Sequence, residues 1–98
     1  MNDAPQRKFK LQRVKKFVGS AVDLGIVIDG FERVRIRNGE ETTIYISTDE
    51  HSLCMQNNVS MGTYNSTTYT IPAGTDDVFC LIQPVPFKND WVITLKII

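Results

Sequence analysis

Residues 22–46, VDLGIVIDGFERVRIRNGEETTIYI, carry the pattern that decides the fold. Apolar side chains occupy every second position over three stretches of this segment, which is typical of β-strands that bury one face. The pairs Asp29-Gly30 and Asn38-Gly39 separate the stretches, and such pairs are strong signals for tight turns. The pattern predicts three consecutive strands. His51–Gln56 predicts a fourth, which completes a meander over residues 22–56.

The spacing of the apolar residues constrains these turns. Opposed residues in a hairpin face the same side of the sheet, so a two-residue turn would set an isoleucine against an arginine. An odd number of loop residues avoids this mismatch. We therefore expect three-residue loops with a left-handed glycine, which place Ile26 opposite Val34 and Arg35 opposite Glu41. The expected loops are residues 29–31 and 37–39.

The rest of the chain contains further stretches that resemble short strands. They are residues 8–17, 67–71, 77–83 and 91–97. Helix is the alternative for the first stretch, because its apolar residues also recur at helical spacing. Residues 57–66 read as a polar loop. Seven to eight short strands predict an all-β fold, an antiparallel β-sandwich, formed by one domain over residues 7–98 after a disordered tail over residues 1–6.

Part of the chain resembles a family of small, uncharacterised bacterial β domains that are similar to PEGA modules. The resemblance covers residues 13–56, and it depends on four motifs: Arg13–Ala21, Ile26–Gly30, Ile36–Glu40 and His51–Leu53. It implies a small sandwich of the transthyretin-like or immunoglobulin-like class. It implies no activity, because the motif residues form turns rather than carry out chemistry. The chain departs from the family pattern at residues 49–51, where a glycine usually precedes the basic residue.

Composition predicts an ordinary globular domain. The 98 residues are 42% hydrophobic and 22% charged, with 11 basic and 11 acidic side chains, so net charge predicts no polyanionic partner. No apolar run approaches the about 20 residues that a transmembrane helix needs, and no signal peptide is recognisable. We expect a soluble cytoplasmic protein, or an envelope-associated one if the chain is part of a longer protein. With no phosphate loop or catalytic motif, we expect no cofactor and no small-molecule substrate.

The histidine and the cysteines are the only candidates for a chemical site. His51 follows Asp49 and Glu50, but it is the only histidine and a metal needs three or four ligands, so we expect a solvated turn. His51 and Cys54 are three residues apart on one predicted strand, so their side chains point to opposite faces and cannot form a Cys-His pair. Cys54 and Cys80 lie in apolar runs, which favours reduced, buried thiols over a disulfide. We therefore expect no catalytic residue, no metal and no enzyme activity.

Two groups of side chains are candidates for an interaction surface. The first combines arginines that alternate along one strand with tyrosines: Arg33, Arg35, Arg37, Tyr45, Tyr64 and Tyr69. Tyrosine offers rigid, amphipathic contact area to a protein or glycan. The second is the basic segment: Arg7, Lys8, Lys10, Arg13, Lys15 and Lys16. It gives residues 1–16 a charge of +5 (6 − 1) and could bind nucleic acid or an anionic surface.

These features together predict a non-catalytic interaction or accessory module. We expect it to bind another protein, a glycan or a second copy of itself, the last through an edge strand. The alternative is binding of nucleic acid or an anionic surface through the basic segment and the alternating arginines. Ion pairs from Arg35 to Glu41 and from Arg37 to Asp23 would pair two of the three arginines and so neutralise most of the patch, which favours the first reading.

Overall fold

The computed structural model describes residues 5–15, 23–59, 62–85 and 91–98, which form strands and no helix. The strands are β1 (Gln6–Arg13), β2 (Leu24–Ile28), β3 (Phe31–Ile36), β4 (Glu41–Ser47), β5 (His51–Val59), β6 (Gly62–Asn65), β7 (Tyr69–Ile71), β8 (Val78–Pro84) and β9 (Trp91–Ile97). The predicted all-β sandwich is confirmed. Gln6, which we assigned to the tail, belongs to β1, whereas residues 1–4 and Lys16 lie outside the described residues.

The strands form two sheets. The first has the order β4-β1-β8-β9, and the second has the order β3-β2-β5, with β6 and β7 following one another along the far edge of β5. All described pairings are antiparallel except that of β1 with β8, so the expectation of a purely antiparallel sandwich is wrong at this pair. Parallel neighbours need a long crossover, and the chain between β1 and β8 provides it through β4 and the strands of the second sheet.

The predicted meander over residues 22–56 is wrong in its pairing. β2 and β3 form a hairpin, but β4 pairs with β1 in the other sheet, and β5 pairs with β2. The chain therefore crosses between the sheets after β3 and again after β4. Alternation of apolar residues identifies a strand that buries one face. A strand in either sheet of a sandwich shows the same alternation, so the pattern does not predict which strand it pairs with.

The β2–β3 hairpin contains one extra residue, and that residue lies in strand β3 rather than in the turn. Ile26 lies opposite Val34, as predicted. The turn has only two residues, Asp29 with φ 53° and Gly30 with φ 84°, and two successive positive φ angles are those of a type I′ turn. The register skips Arg33, which forms a β-bulge in β3. The expected three-residue loop is therefore wrong, although the parity that required an extra residue is correct.

The turn between β3 and β4 carries the chain from one sheet to the other. The N–H of Glu40 donates to the carbonyl of Arg37 at 2.9 Å, and the side chain of Glu40 accepts the N–H of Arg37 at 2.8 Å. Gly39 has φ 77°, so the expected left-handed glycine is present. The flanking strands diverge into different sheets, and the expected hairpin is absent here.

The core lies between the sheets and is built from the inward positions of strands in both. Its buried members are Phe9, Leu11, Leu24, Ile26, Ile28, Ile36, Ile46, Leu53, Met55, Ile71, Val78, Cys80, Ile82, Trp91 and Ile93. Full burial of a large apolar side chain contributes about 1.5–3 kcal/mol. A core of this size stabilises the sandwich while both cysteines remain free thiols.

The predicted polar loop over residues 57–66 is wrong. β5 continues to Val59 and pairs with β6, with Asn57 opposite Tyr64. Backbone hydrogen bonds in a ladder do not depend on apolar side chains, so a polar stretch can form a hairpin that periodicity does not reveal.

Among the described residues no helix is long and apolar enough to span a membrane.

Candidate functional site

The basic segment does not form one surface, because β1 alternates between the core and the outside. Lys8, Lys10 and Lys15 are exposed. Arg7 and Arg13 point inward and are only 3% and 1% exposed. The predicted surface for an anionic partner is therefore wrong for these two arginines.

Arg7 organises the loop between β7 and β8. Its Nε donates to the carbonyl of Asp76 at 2.6 Å, and its Nη1 donates to the carbonyl of Pro72 at 2.8 Å. Gly74 lies against the guanidinium, since a Cβ added there would come within 3.4 Å of it, and the Gly74 N–H donates to the carbonyl of Thr48 at 2.9 Å. The charge of Arg7 is thus satisfied by backbone carbonyls inside the protein.

Arg13 connects the two sheets. Its Nη1 donates to the carbonyl of Ile36 at 2.9 Å, and its guanidinium lies 4.6 Å from the centre of the Trp91 ring. Burial lowers the pKa of Arg13, and the nearby carboxylate of Asp23 opposes that shift. Arginine keeps its charge in proteins, so this residue is a buried structural cation rather than a surface contact.

The alternating arginines are distributed among different contacts. Arg33, at the bulge, donates from Nη2 to the carbonyl of Tyr45 at 2.9 Å and so links β3 to β4. Arg35 lies 3.1 Å from Glu32 on its own strand, which replaces the predicted pair with a residue of β4. Arg37 begins the turn between the sheets. The three arginines are therefore not one continuous binding surface.

The three tyrosines of the predicted interaction surface lie on different strands. Tyr45 belongs to β4 in the first sheet, and it is 51% exposed. Tyr64 belongs to β6 and Tyr69 to β7, both in the second sheet, and Tyr69 packs against the core. The structure does not bring Tyr45 together with the other two.

A hydrogen-bonded cluster that the sequence did not predict joins the two sheets. His51 Nδ1 lies 2.6 Å from Asp29 Oδ2 in the β2–β3 turn, and His51 Nε2 lies 3.0 Å from Ser47 Oγ at the end of β4. The side chain of His51 is only 11% exposed, so the expected solvated histidine is wrong. We call Asp29, Ser47 and His51 the inter-sheet cluster.

Backbone geometry holds Asp29 in this cluster. Aspartate tolerates the positive φ that the type I′ turn imposes better than most residues. Its Oδ1 accepts the N–H of Ser52 at 2.9 Å, and its own N–H donates to the carbonyl of Ser52 at 3.0 Å. The hydrogen bonds from His51 and then from Ser52 lower the pKa of the Asp29 carboxyl.

The inter-sheet cluster has the residue types of a catalytic triad but different surroundings. In a triad, the histidine Nε2 accepts the proton of the serine hydroxyl. Here the carbonyl of Ser47, which can only accept, lies 3.1 Å from Nε2, and the Ser47 hydroxyl donates to Asp49 Oδ2 at 3.3 Å. An oxygen acceptor therefore lies beside each ring nitrogen, Asp29 at Nδ1 and the Ser47 carbonyl at Nε2, and the Ser47 hydroxyl is not the sole partner of Nε2. This geometry suits a structural link between the sheets.

Neither thiol is arranged for nucleophilic chemistry. Burial raises the pKa of Cys80 to about 12, and burial also raises the pKa of the half-buried Cys54. The reactive form of cysteine is the thiolate, so a raised pKa lowers reactivity. Within the described residues, no three or more His, Cys, Asp and Glu side chains converge on a point where a metal ion could bind.

Comparison with known proteins finds no match: no protein-family model, no curated protein and no solved structure is similar to this chain. The resemblance to PEGA modules therefore stays a prediction.

Proposed function

We propose that the chain is a non-catalytic interaction module that binds another polypeptide by adding it as a strand to the edge of β9. β9 ends the first sheet and, within the described residues, pairs with β8 alone. Half of the backbone N–H and C=O groups of an edge strand point away from its sheet and can bond a further strand. This edge is the observation that carries the proposal.

The other edges formed by the described residues are short or protected. β3 has the bulge at Arg33 and the charged side chains of Glu32 and Arg35. Arg33 also occupies the carbonyl of Tyr45 on β4, the edge of the first sheet opposite β9. β6 and β7 have four and three residues and are separated by residues 66–68. Bulges, charges and short strands are the devices that block unwanted pairing.

β9 has fewer of these devices. It pairs in regular register over seven residues and carries one charge, Lys96. Val92, on the outward side, is 43% exposed, and Ile97 is 44% exposed although it shares the core side with the buried Trp91 and Ile93. The core is therefore only partly covered at this end of the strand. An added strand would bury both Val92 and Ile97.

The non-catalytic part of the proposal is supported by the chemistry of the candidate nucleophiles. The hydroxyl of Ser47 lies 3.3 Å from Asp49 Oδ2 as well as 3.0 Å from His51 Nε2, and the Ser47 carbonyl lies 3.1 Å from the same nitrogen. Burial keeps Cys80 in its unreactive thiol form. These contacts favour structural roles for Ser47 and Cys80 over nucleophilic ones.

Two available polypeptides test the proposal: a second copy of the chain, and a fluorescent synthetic peptide of residues 91–98. We expect sedimentation velocity to show a dimer that increases with concentration, and we expect the peptide to bind and to dissociate that dimer. Amide shifts in NMR spectra should concentrate in β9.

The variant Val92→Lys replaces the apolar side chain beside the edge with a charge. Burial of a valine contributes about 1.5 kcal/mol, so binding of the unchanged peptide should weaken by roughly tenfold. Self-association, in which both copies carry the change, should weaken by roughly a hundredfold. Tyr45→Lys is the matched control, because it changes a similarly exposed side chain on the opposite edge of the same sheet. A chain that stays monomeric throughout and fails to bind the peptide would refute the proposal.

A further inference from the structure

The outward face of the first sheet combines lysines with aromatic side chains. This face is formed by alternate residues of β4, β1, β8 and β9, whose other residues point towards the core. Its lysines are Lys8, Lys10 and Lys96, all exposed. Its aromatic side chains are Tyr45, which is exposed, and Phe79, which is half-buried. We call these five residues the lysine–aromatic face.

The register of the sheet interleaves these side chains. Lys8 lies opposite Tyr45, Lys10 lies beside Phe79, and Phe79 lies opposite Lys96. Phe79 therefore has a lysine on each side within one row across the sheet. Tyr45 and Phe79 lie on either side of β1 and are offset by two residues, which places them about 12 Å apart at standard strand spacing.

We propose that the lysine–aromatic face binds single-stranded nucleic acid. Proteins that bind single strands combine aromatic rings, on which bases stack, with cations that follow the phosphates. Here Tyr45 and Phe79 would each stack a base, and the three lysines would contact phosphates. The separation of the rings suits two bases with one nucleotide between them. This activity is separate from strand addition at β9, because it uses the face of the sheet rather than its edge.

Charge on the face favours a polyanion. The outward strand positions carry three lysines and one carboxylate, Glu41, which gives +2 (3 − 1). Glu41 lies 2.9 Å from Lys10, but their side chains are 48% and 46% exposed, so water screens the pair and a phosphate can compete for the lysine. Asp77 lies at the rim, where it accepts the N–H of Lys8 at 3.2 Å.

The shape of the face favours a single strand over a duplex. Proteins read duplex DNA by inserting a helix, a ribbon or an arm into a groove. The lysine–aromatic face is the surface of a four-stranded sheet, which cannot enter a groove. Unpaired bases, in contrast, can lie flat on exposed rings.

Fluorescence anisotropy of labelled oligo(dT) and oligo(rU), each about 12 nucleotides long, tests the proposal with the whole chain in about 50 mM salt. Three phosphate contacts predict a slope of about −2 for log affinity against log salt, and Lys8→Gln should reduce its magnitude by about 0.7. Tyr45→Leu and Phe79→Leu should each weaken binding by roughly tenfold and leave the slope unchanged. Glu41→Gln should tighten binding, because it releases Lys10.

Lys15→Gln is the matched control, because Lys15 is exposed but follows β1 and lies outside the face. It should change neither the affinity nor the slope. Phe79 is half-buried, so its variant is checked by circular dichroism, and the exposed Tyr45 repeats the test without that risk to folding. The proposal would be overturned if the chain bound neither oligonucleotide, or bound phosphatidylserine vesicles alone. It would also be overturned if Lys8→Gln and Lys15→Gln lost equal affinity for the oligonucleotides, or if a duplex bound with the same affinity as a single strand.

Discussion

Replacing Asp29 with asparagine should weaken the link between the two sheets without disturbing the turn. Asparagine has the shape of aspartate and is among the few residues that tolerate the positive φ of this position, 53°. Its carbonyl oxygen can still accept the N–H of Ser52, which Asp29 accepts at 2.9 Å. What the variant removes is the negative charge 2.6 Å from His51 Nδ1.

The expected loss is about 1 kcal/mol in the free energy of unfolding. A hydrogen bond to a charged group contributes about 1.5–3 kcal/mol. The side chains of Asp29 and His51 are 50% and 11% exposed, so water screens the pair and reduces its contribution to about 1 kcal/mol. For a domain of this size, such a loss lowers the melting temperature by about 4–8 °C.

The loss should also depend on pH. The hydrogen bond from His51, followed by that from Ser52, lowers the pKa of the Asp29 carboxyl in the folded protein. A carboxyl with a lowered folded pKa stabilises the fold above its unfolded pKa, about 3.9 for aspartate. That stabilisation disappears as the pH falls through the folded pKa. The difference between the two proteins should therefore be complete at about pH 7 and lost in strong acid.

Urea unfolding followed by Trp91 fluorescence and circular dichroism measures the effect at neutral and acidic pH. A double-mutant cycle with His51→Gln isolates the coupling between the two side chains. Glu50→Gln, which removes an exposed carboxylate beside His51 in the chain, is the control and should be neutral. Equal urea midpoints for the wild type and Asp29→Asn at neutral pH would contradict the expected loss of stability. A loss of stability that persists unchanged in acid would also contradict it, as would effects of Asp29→Asn and His51→Gln that simply add in the double mutant.

Three further substitutions and modifications test other parts of the structure. Arg7→Met removes two hydrogen bonds to loop carbonyls and should cost about 2–4 kcal/mol in urea unfolding; unchanged stability would mean that the loop holds its own conformation. The thiol of Cys80, with its pKa of about 12, should resist iodoacetamide in the folded protein, and mass spectrometry that finds it labelled before Cys54 would contradict its burial. Gly30→Ala should cost about 1 kcal/mol from backbone strain alone, because no atom lies within 4 Å of the added Cβ, and a neutral result would argue against the left-handed turn.

Local periodicity explains why much of the strand layout could be predicted from the sequence. The inward positions Phe9, Leu11, Leu53 and Met55 are buried as their alternation predicts. The alignment of Ile26 with Val34 also followed from parity, because side chains on a pleated strand change sides at every residue. The alternation shows that the hairpin needs one extra residue but not where that residue lies. It therefore could not distinguish a three-residue loop from a bulge in β3.

The candidate sites were less predictable, because they combine residues that are distant in the chain. The inter-sheet cluster draws on the β2–β3 turn, the end of β4 and the start of β5, and the only local signal is an aspartate in an Asp-Gly turn. The lysine–aromatic face required the pairing of β1 with β4 and β8, which sets Phe79 beside Lys10. The sequence did mark the lysines of β1 as candidates.

The sequence by itself determined that residues 24–46 contain three strands with left-handed glycines in their turns, because alternation and turn chemistry are properties of neighbouring residues. Only the tertiary structure decided that β3 and β4 part into different sheets, and that Arg7 and Arg13 are internal while Lys8 and Lys10 are exposed. The reason is that a strand's neighbours depend on which edges the whole chain brings together, and a basic side chain is buried only where carbonyls from distant segments satisfy it.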